Sequence, residues 1–105
     1  MKKEQTIIMD KDIYFIEKVG DRIVTNDNYV GILIFDYNLN LIENINMFDD
    51  MIVSSWISNN TAILLFCEDN NCIVFVDAYT LEHEVIEVRK CDKFFFANAI
   101  LLGKE

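Results

Sequence analysis

Apolar positions fall in short bursts along this chain, not in helical stripes. The stretches 32–35, 63–66 and 73–76 are continuously apolar and rich in β-branched and aromatic residues. Runs this short read as strands covered on both faces, since a helix needs about ten residues or more. The stretch 13–19 reads as another strand, and Gly20-Asp21 turns it into 22–25. A less regular strand at 53–58 carries Trp56 on the face opposite Ser55 and Ile57, and Asn59-Asn60 is a two-residue hairpin signal before 61–67. Glu68-Asp69-Asn70-Asn71 then turns the chain into 72–77. The apolar end, 94–102 with Phe94-Phe95-Phe96, fits either strand or short helix, as core or as a self-association patch. The pattern predicts one all-β domain over 1–105, an antiparallel meander of about eight to ten short strands in sequential order.

Two segments align without a gap at a spacing of 41 residues: RIVTNDNYVGILIFD from Arg22 to Asp36, and ILLFCEDNNCIVFVD from Ile63 to Asp77. Each runs strand, four polar or turn-like residues, strand, closing aspartate, and each aspartate precedes a turn and a further strand, at 39–45 and 84–88. The repeat puts Asp36 and Asp77 at equivalent strand ends, where an aspartate side chain bonds turn amides. The unit resembles a blade of a β-propeller of the WD40 or kelch type over 13–88, without the Trp-Asp dipeptide or a Gly-Gly pair. Propellers close with about four to eight blades. Two blades and part of a third are too few to close alone, so the resemblance implies an open two-sheet arrangement or self-association.

Composition sharpens this picture at the turns. With three glycines and no proline among 105 residues, the turns must draw on asparagine and aspartate. Asn26, Asn28, Asn59, Asn60, Asn70 and Asn71 stand where turns are expected. No apolar run approaches the roughly 20 residues of a membrane span. Asp10 and Asp12 interrupt the short apolar stretch after Lys2 and Lys3, which argues against a signal peptide. Three cysteines, an odd number, fit a reducing, cytoplasmic setting.

The formal net charge is −9, and its distribution says more than its size. Between Ile23 and Val88 there is no lysine or arginine, while Asp27, Asp36, Glu43, Asp49, Asp50, Glu68, Asp69, Asp77, Glu82, Glu84 and Glu87 all fall there. So long a stretch of one sign repels itself and repels phosphate, which argues against nucleic-acid binding. It suits either a solvated surface or a face for a basic partner. The adjacent pairs Asp49-Asp50 and Glu68-Asp69, with Glu82 and Glu84, are the candidate partner-binding carboxylates.

Catalytic chemistry finds little support. His83 is the only histidine and sits between Glu82 and Glu84 at a strand start. There is no glycine-rich phosphate loop, and no nucleophile–histidine spacing. Cys67 and Cys72 flank a four-residue turn; with His83 and Cys91 they match no common zinc ligand set, so free thiols and no metal or other cofactor are expected. The acidic turns lack the alternating oxygen ligands of a calcium loop. By size and charge the chain resembles bacterial immunity proteins, which neutralise basic nuclease toxins. That resemblance implies a non-enzymatic protein whose acidic surface binds a basic partner; the alternative is a propeller-like scaffold that self-associates.

Overall fold

A computed structural model describes residues 11–88. They form eight antiparallel strands: β1 (Ile16–Val19), β2 (Arg22–Asp27), β3 (Gly31–Phe35), β4 (Leu41–Asn46), β5 (Ser55–Ser58), β6 (Ala62–Cys67), β7 (Cys72–Asp77) and β8 (His83–Glu87). These make two four-stranded meanders, β1-β2-β3-β4 and β5-β6-β7-β8. No helix among the described residues is long and apolar enough to cross a membrane. The segment 94–102 and Cys91 lie outside the described residues.

The sheets face each other across one core. Val24, Ile32, Ile34 and Ile45 of the first sheet meet Ile63, Leu65, Cys67, Val74 and Val76 of the second, with Phe15, Met51 and Val53 from the connections filling in. β3 is buried on both faces, as its unbroken apolar run implies. β6 is not. Its buried residues alternate, and Leu64 and Phe66 stay half-buried on the far side of the second sheet, together with Phe75 of β7. Polar contacts also tie the sheets. Glu17 accepts from Trp56 Nε1 at 3.0 Å and from Ser58 Oγ at 2.5 Å, and Phe15 packs on Trp56 with ring centroids 4.7 Å apart.

The turns bear out the reliance on asparagine and aspartate, with exceptions. Gly20 takes the first of the two loop positions between β1 and β2 at φ +61°, a conformation glycine enters without cost. The Asn59 side chain accepts from the Thr61 and Ala62 amides, and the Asn59 N–H donates to the Ala62 carbonyl. The β5–β6 turn therefore centres on Asn60 and Thr61, one residue later than the sequence suggests. Asp36 Oδ1 accepts from the Asn38 and Asn40 amides, and Asp77 Oδ1 from those of Tyr79 and Thr80. The Asn40 amide chiefly lowers the Asp36 carboxyl below its ordinary range, and the Thr80 amide does the same for Asp77. Both caps are complete above about pH 4 and are lost as pH falls through the lowered folded values.

The ungapped alignment slips in one place. Asp27 pairs with Gly31 across three loop residues, but Cys67 pairs with Cys72 across four. The extra residue shifts β6 by one against β2, so Leu64, not Leu65, shares its sheet position with Val24.

Asn26 departs furthest from expectation. It is a buried residue within β2, not a turn residue. Its Oδ1 accepts from the Tyr14 and Phe15 amides at 2.7 and 3.2 Å, and its Nδ2 donates to the carbonyls of Asp12 and Asn28 at 2.6 and 2.9 Å. This one side chain replaces a strand ladder for residues 12–15, which is why β1 starts at Ile16 and not at Ile13.

Gly31 is set by close approach. A Cβ there would collide with the Ile45 carbonyl oxygen and lie 3.0 Å from the Asn46 Cα, backbone atoms that cannot rotate away. Gly31→Ala should cost about 2–3 kcal/mol, the range of core overpacking. Urea unfolding checks this, and an unchanged midpoint would show that β4 moves aside freely.

Candidate acidic interface

In a meander each strand reverses direction, so alternate connections share an end. The β2–β3 loop, the β4–β5 connection and the β6–β7 loop gather at one end of the molecule, tied by hydrogen bonds between segments distant in sequence. The Met51 amide donates to the Tyr29 carbonyl at 2.8 Å. Asn70 clamps the two acidic turns: its Oδ1 accepts from the Ile52 amide and its Nδ2 donates to the Asp50 carbonyl, both at 3.1 Å. Ser54 adds a second clamp, with its hydroxyl donating to the Phe66 carbonyl at 2.7 Å and accepting from the Glu68 amide at 3.1 Å. Asp50 and Asn71 both take left-handed backbone, φ +59° and +55°, which asparagine and aspartate tolerate. The outcome is one exposed group of four carboxylates: Asp49, Asp50, Glu68 and Asp69.

Beside it lies an aromatic surface that the sequence pattern does not single out. Tyr14 and Tyr29 stack with centroids 5.7 Å apart and planes 20° from parallel. They are 40% and 44% exposed, and Ile52 next to them is 40% exposed. Tyr14 is held in place: its hydroxyl accepts from the Val53 amide at 2.8 Å, and Asn26 grips its backbone. Burial pushes the Tyr14 hydroxyl above its ordinary pKa, so it stays neutral at physiological pH. The Tyr29 hydroxyl lies 3.5 Å from Asp12 Oδ2. Lys11, the described cation at this end, is drawn to the buried Asp27 at 2.7 Å. Chemically the end offers carboxylate acceptors around exposed aromatic faces, a combination suited to cationic groups.

Glu82 and Glu84 are not part of this group. Glu82 lies in the β7–β8 turn, at the opposite end with Asp36 and Asp77. Glu84 stands on β8 opposite Phe75, on the far face of the second sheet. Both line a shallow cavity of about 430 Å³ with Phe75, Leu81 and His83. There the His83 ring Nδ1 lies 3.1 Å from the Leu81 carbonyl oxygen. Among the described residues no three His, Cys, Asp or Glu side chains come together as a metal-ion set.

Cys67 and Cys72 face each other across the β6–β7 hairpin as free, buried thiols. Burial pushes Cys67 up to about 12 and raises Cys72 as well. Thiol reactivity follows the thiolate fraction and access, and both are low here. In a Cys91→Ser background, a disulfide reagent at pH 8 should therefore modify these two thiols at least about 100-fold more slowly in the folded protein than in denaturant. Equal rates would show that the hairpin opens readily.

Comparison with protein-family models, curated proteins and solved structures returns no match to this chain.

Proposed function

We propose that this chain is a non-enzymatic binding module whose acidic end engages and neutralises a basic protein, in the manner of an immunity protein holding a nuclease toxin. The observation that carries the reading is the Asn70 clamp, which joins the Asp49-Asp50 and Glu68-Asp69 turns beside the exposed Tyr14–Tyr29 stack. An interface needs an apolar anchor for affinity and a charged rim for fast, selective encounter. Tyrosine is among the residues enriched in such anchors, and carboxylates at the rim compete with phosphate for a nucleic-acid-binding protein. The test is capture from the host proteome on the immobilised chain, beside a variant with Asp49→Asn, Asp50→Asn, Glu68→Gln and Asp69→Gln. A basic protein retained by the wild type and lost by the variant is the expected result. A partner held equally by both proteins would overturn the reading.

A second reading, a propeller-like module that self-associates, draws on the sense in which the sheets stack. Ile32 and Ile34 of β3 face the core, but their counterparts 41 residues on, Ile73 and Phe75, face away from it. Leu33 and Phe35 face away, and their counterparts Val74 and Val76 face the core. The sheets thus stack front to back, as propeller blades do, and the far face of the second sheet repeats the apolar character of the first sheet's core face. With two blades per chain, a closed ring takes about two to four copies. Size-exclusion chromatography with light scattering decides: a monomer at high concentration sinks this second reading.

A further inference from the structure

We infer that the Tyr14–Tyr29 stack reads arginine: the basic partner seats a guanidinium, not a lysine ammonium, on this aromatic surface. The inference rests on the acidic-end reading and names the chemistry of the group that docks there.

The fold already contains one pairing of this kind. At the opposite end the Arg22 guanidinium lies over the Tyr79 ring, 4.8 Å from its centroid. That ring is fixed because its hydroxyl accepts from the Asp21 amide at 2.6 Å. Tyr14 is fixed in the same way, by the Val53 amide, and Tyr29 extends its face by stacking. What differs is the cation. Lys18 and Arg22 flank the Gly20-Asp21 hairpin at the far end, and Lys11 is engaged by Asp27. Among the described residues no other cation lies at this end, so its exposed surface is complementary in charge to a cation that a partner brings.

Arginine suits it better than lysine for two reasons. A guanidinium is planar and weakly hydrated, so it lies flat on an aromatic face at low desolvation cost, whereas an ammonium holds its water. Its fork of donors also reaches carboxylates at the ring edge while the plane stays stacked. Asp12 stands at the tip of Tyr29, with its Oδ2 3.5 Å from the ring hydroxyl. A lysine would gain the Coulomb attraction alone.

The experiment titrates the full chain with fluorescent oligo-arginine and oligo-lysine peptides of equal length, at low and at physiological salt. The arginine peptide should bind about tenfold more tightly at matched salt, within the range of a partly desolvated cation–π contact. Tyr29→Leu should bring the arginine peptide down to the lysine level and leave the lysine peptide unchanged. Tyr29 is exposed, and the carbonyl it gives to Met51 is backbone, so this variant keeps the fold. The fourfold amide variant should weaken both peptides alike. Equal affinity of the wild type for the two peptides, or an arginine preference that survives Tyr29→Leu, overturns the arginine inference while the basic-partner reading stands. Binding of neither peptide at low salt overturns both.

Discussion

Asn26→Ala should destabilise the protein by about 3–4 kcal/mol, more than any surface substitution in the chain. The side chain is 1% exposed and makes four hydrogen bonds, all to backbone groups of other residues. Alanine removes every one and leaves two amides and two carbonyls to find water or stay unpaired, at about 1–3 kcal/mol for each group that remains buried. The Phe15 amide is the worst placed of them, because Phe15 packs in the core against Trp56. The Tyr14 and Asp12 groups lie nearer solvent and recover part of the loss, which keeps the total below the sum. For a domain this small the change lowers Tm by more than about 10 °C. Asn26→Asp is nearly isosteric yet should fare no better, since a carboxylate cannot donate to the Asp12 and Asn28 carbonyls and would be charged in a buried site. Thermal unfolding of both variants checks this. A shift within a degree or two for Asn26→Ala would show that residues 12–15 are held by their side chains alone. The substitution should also loosen Tyr14 and so weaken partner binding beyond its effect on stability.

How much of this was readable without coordinates depends on whether the determinant is local. The run at 32–35 announces β3 because continuous apolar residues have no other short-range solution, and Gly20-Asp21 announces its hairpin through glycine's positive φ. Asn26 could not be recognised this way. Its type and its neighbour Asn28 suggest a turn, and what holds it inside β2 is a set of backbone partners 11 to 14 residues earlier. Tyr14 and Tyr29 are likewise brought together by that network and not by any spacing. The acidic group was half legible. The two adjacent pairs stand out in the sequence, and meander parity puts the connections after β4 and β6 at one end and the turn after β7 at the other. Counting turns would have separated Glu82 from the four. The Asn70 clamp that joins those four involves a side chain whose type signals only a turn.

Converting Asp49, Asp50, Glu68 and Asp69 to their amides should slow association with a basic partner by about 10- to 100-fold at low ionic strength. The four side chains are exposed at one end, where they act on the partner before contact through a field that salt screens over about 8 Å at physiological strength. The effect should therefore shrink steadily as salt is added and fall to a few-fold near 0.5 M. Dissociation should change much less, since rim charges are hydrated in the complex as well, whereas Tyr29→Leu removes contact area and should act mainly on dissociation. Folding should survive the amide variant. Exposed charges contribute little to stability, and reducing like-charge repulsion in a chain of net charge −9 offsets some of any loss. The clamps that shape the two turns use the Asn70 and Ser54 side chains and the backbone at Asp50, Ile52, Phe66 and Glu68, none of which the substitutions remove. The measurement is a salt series of association and dissociation rates for the wild type, the amide variant and Tyr29→Leu against the captured partner. Parallel association curves for the wild type and the amide variant at every salt concentration would mean that these turns face solvent in the complex, and the acidic end would lose its claim to the interface.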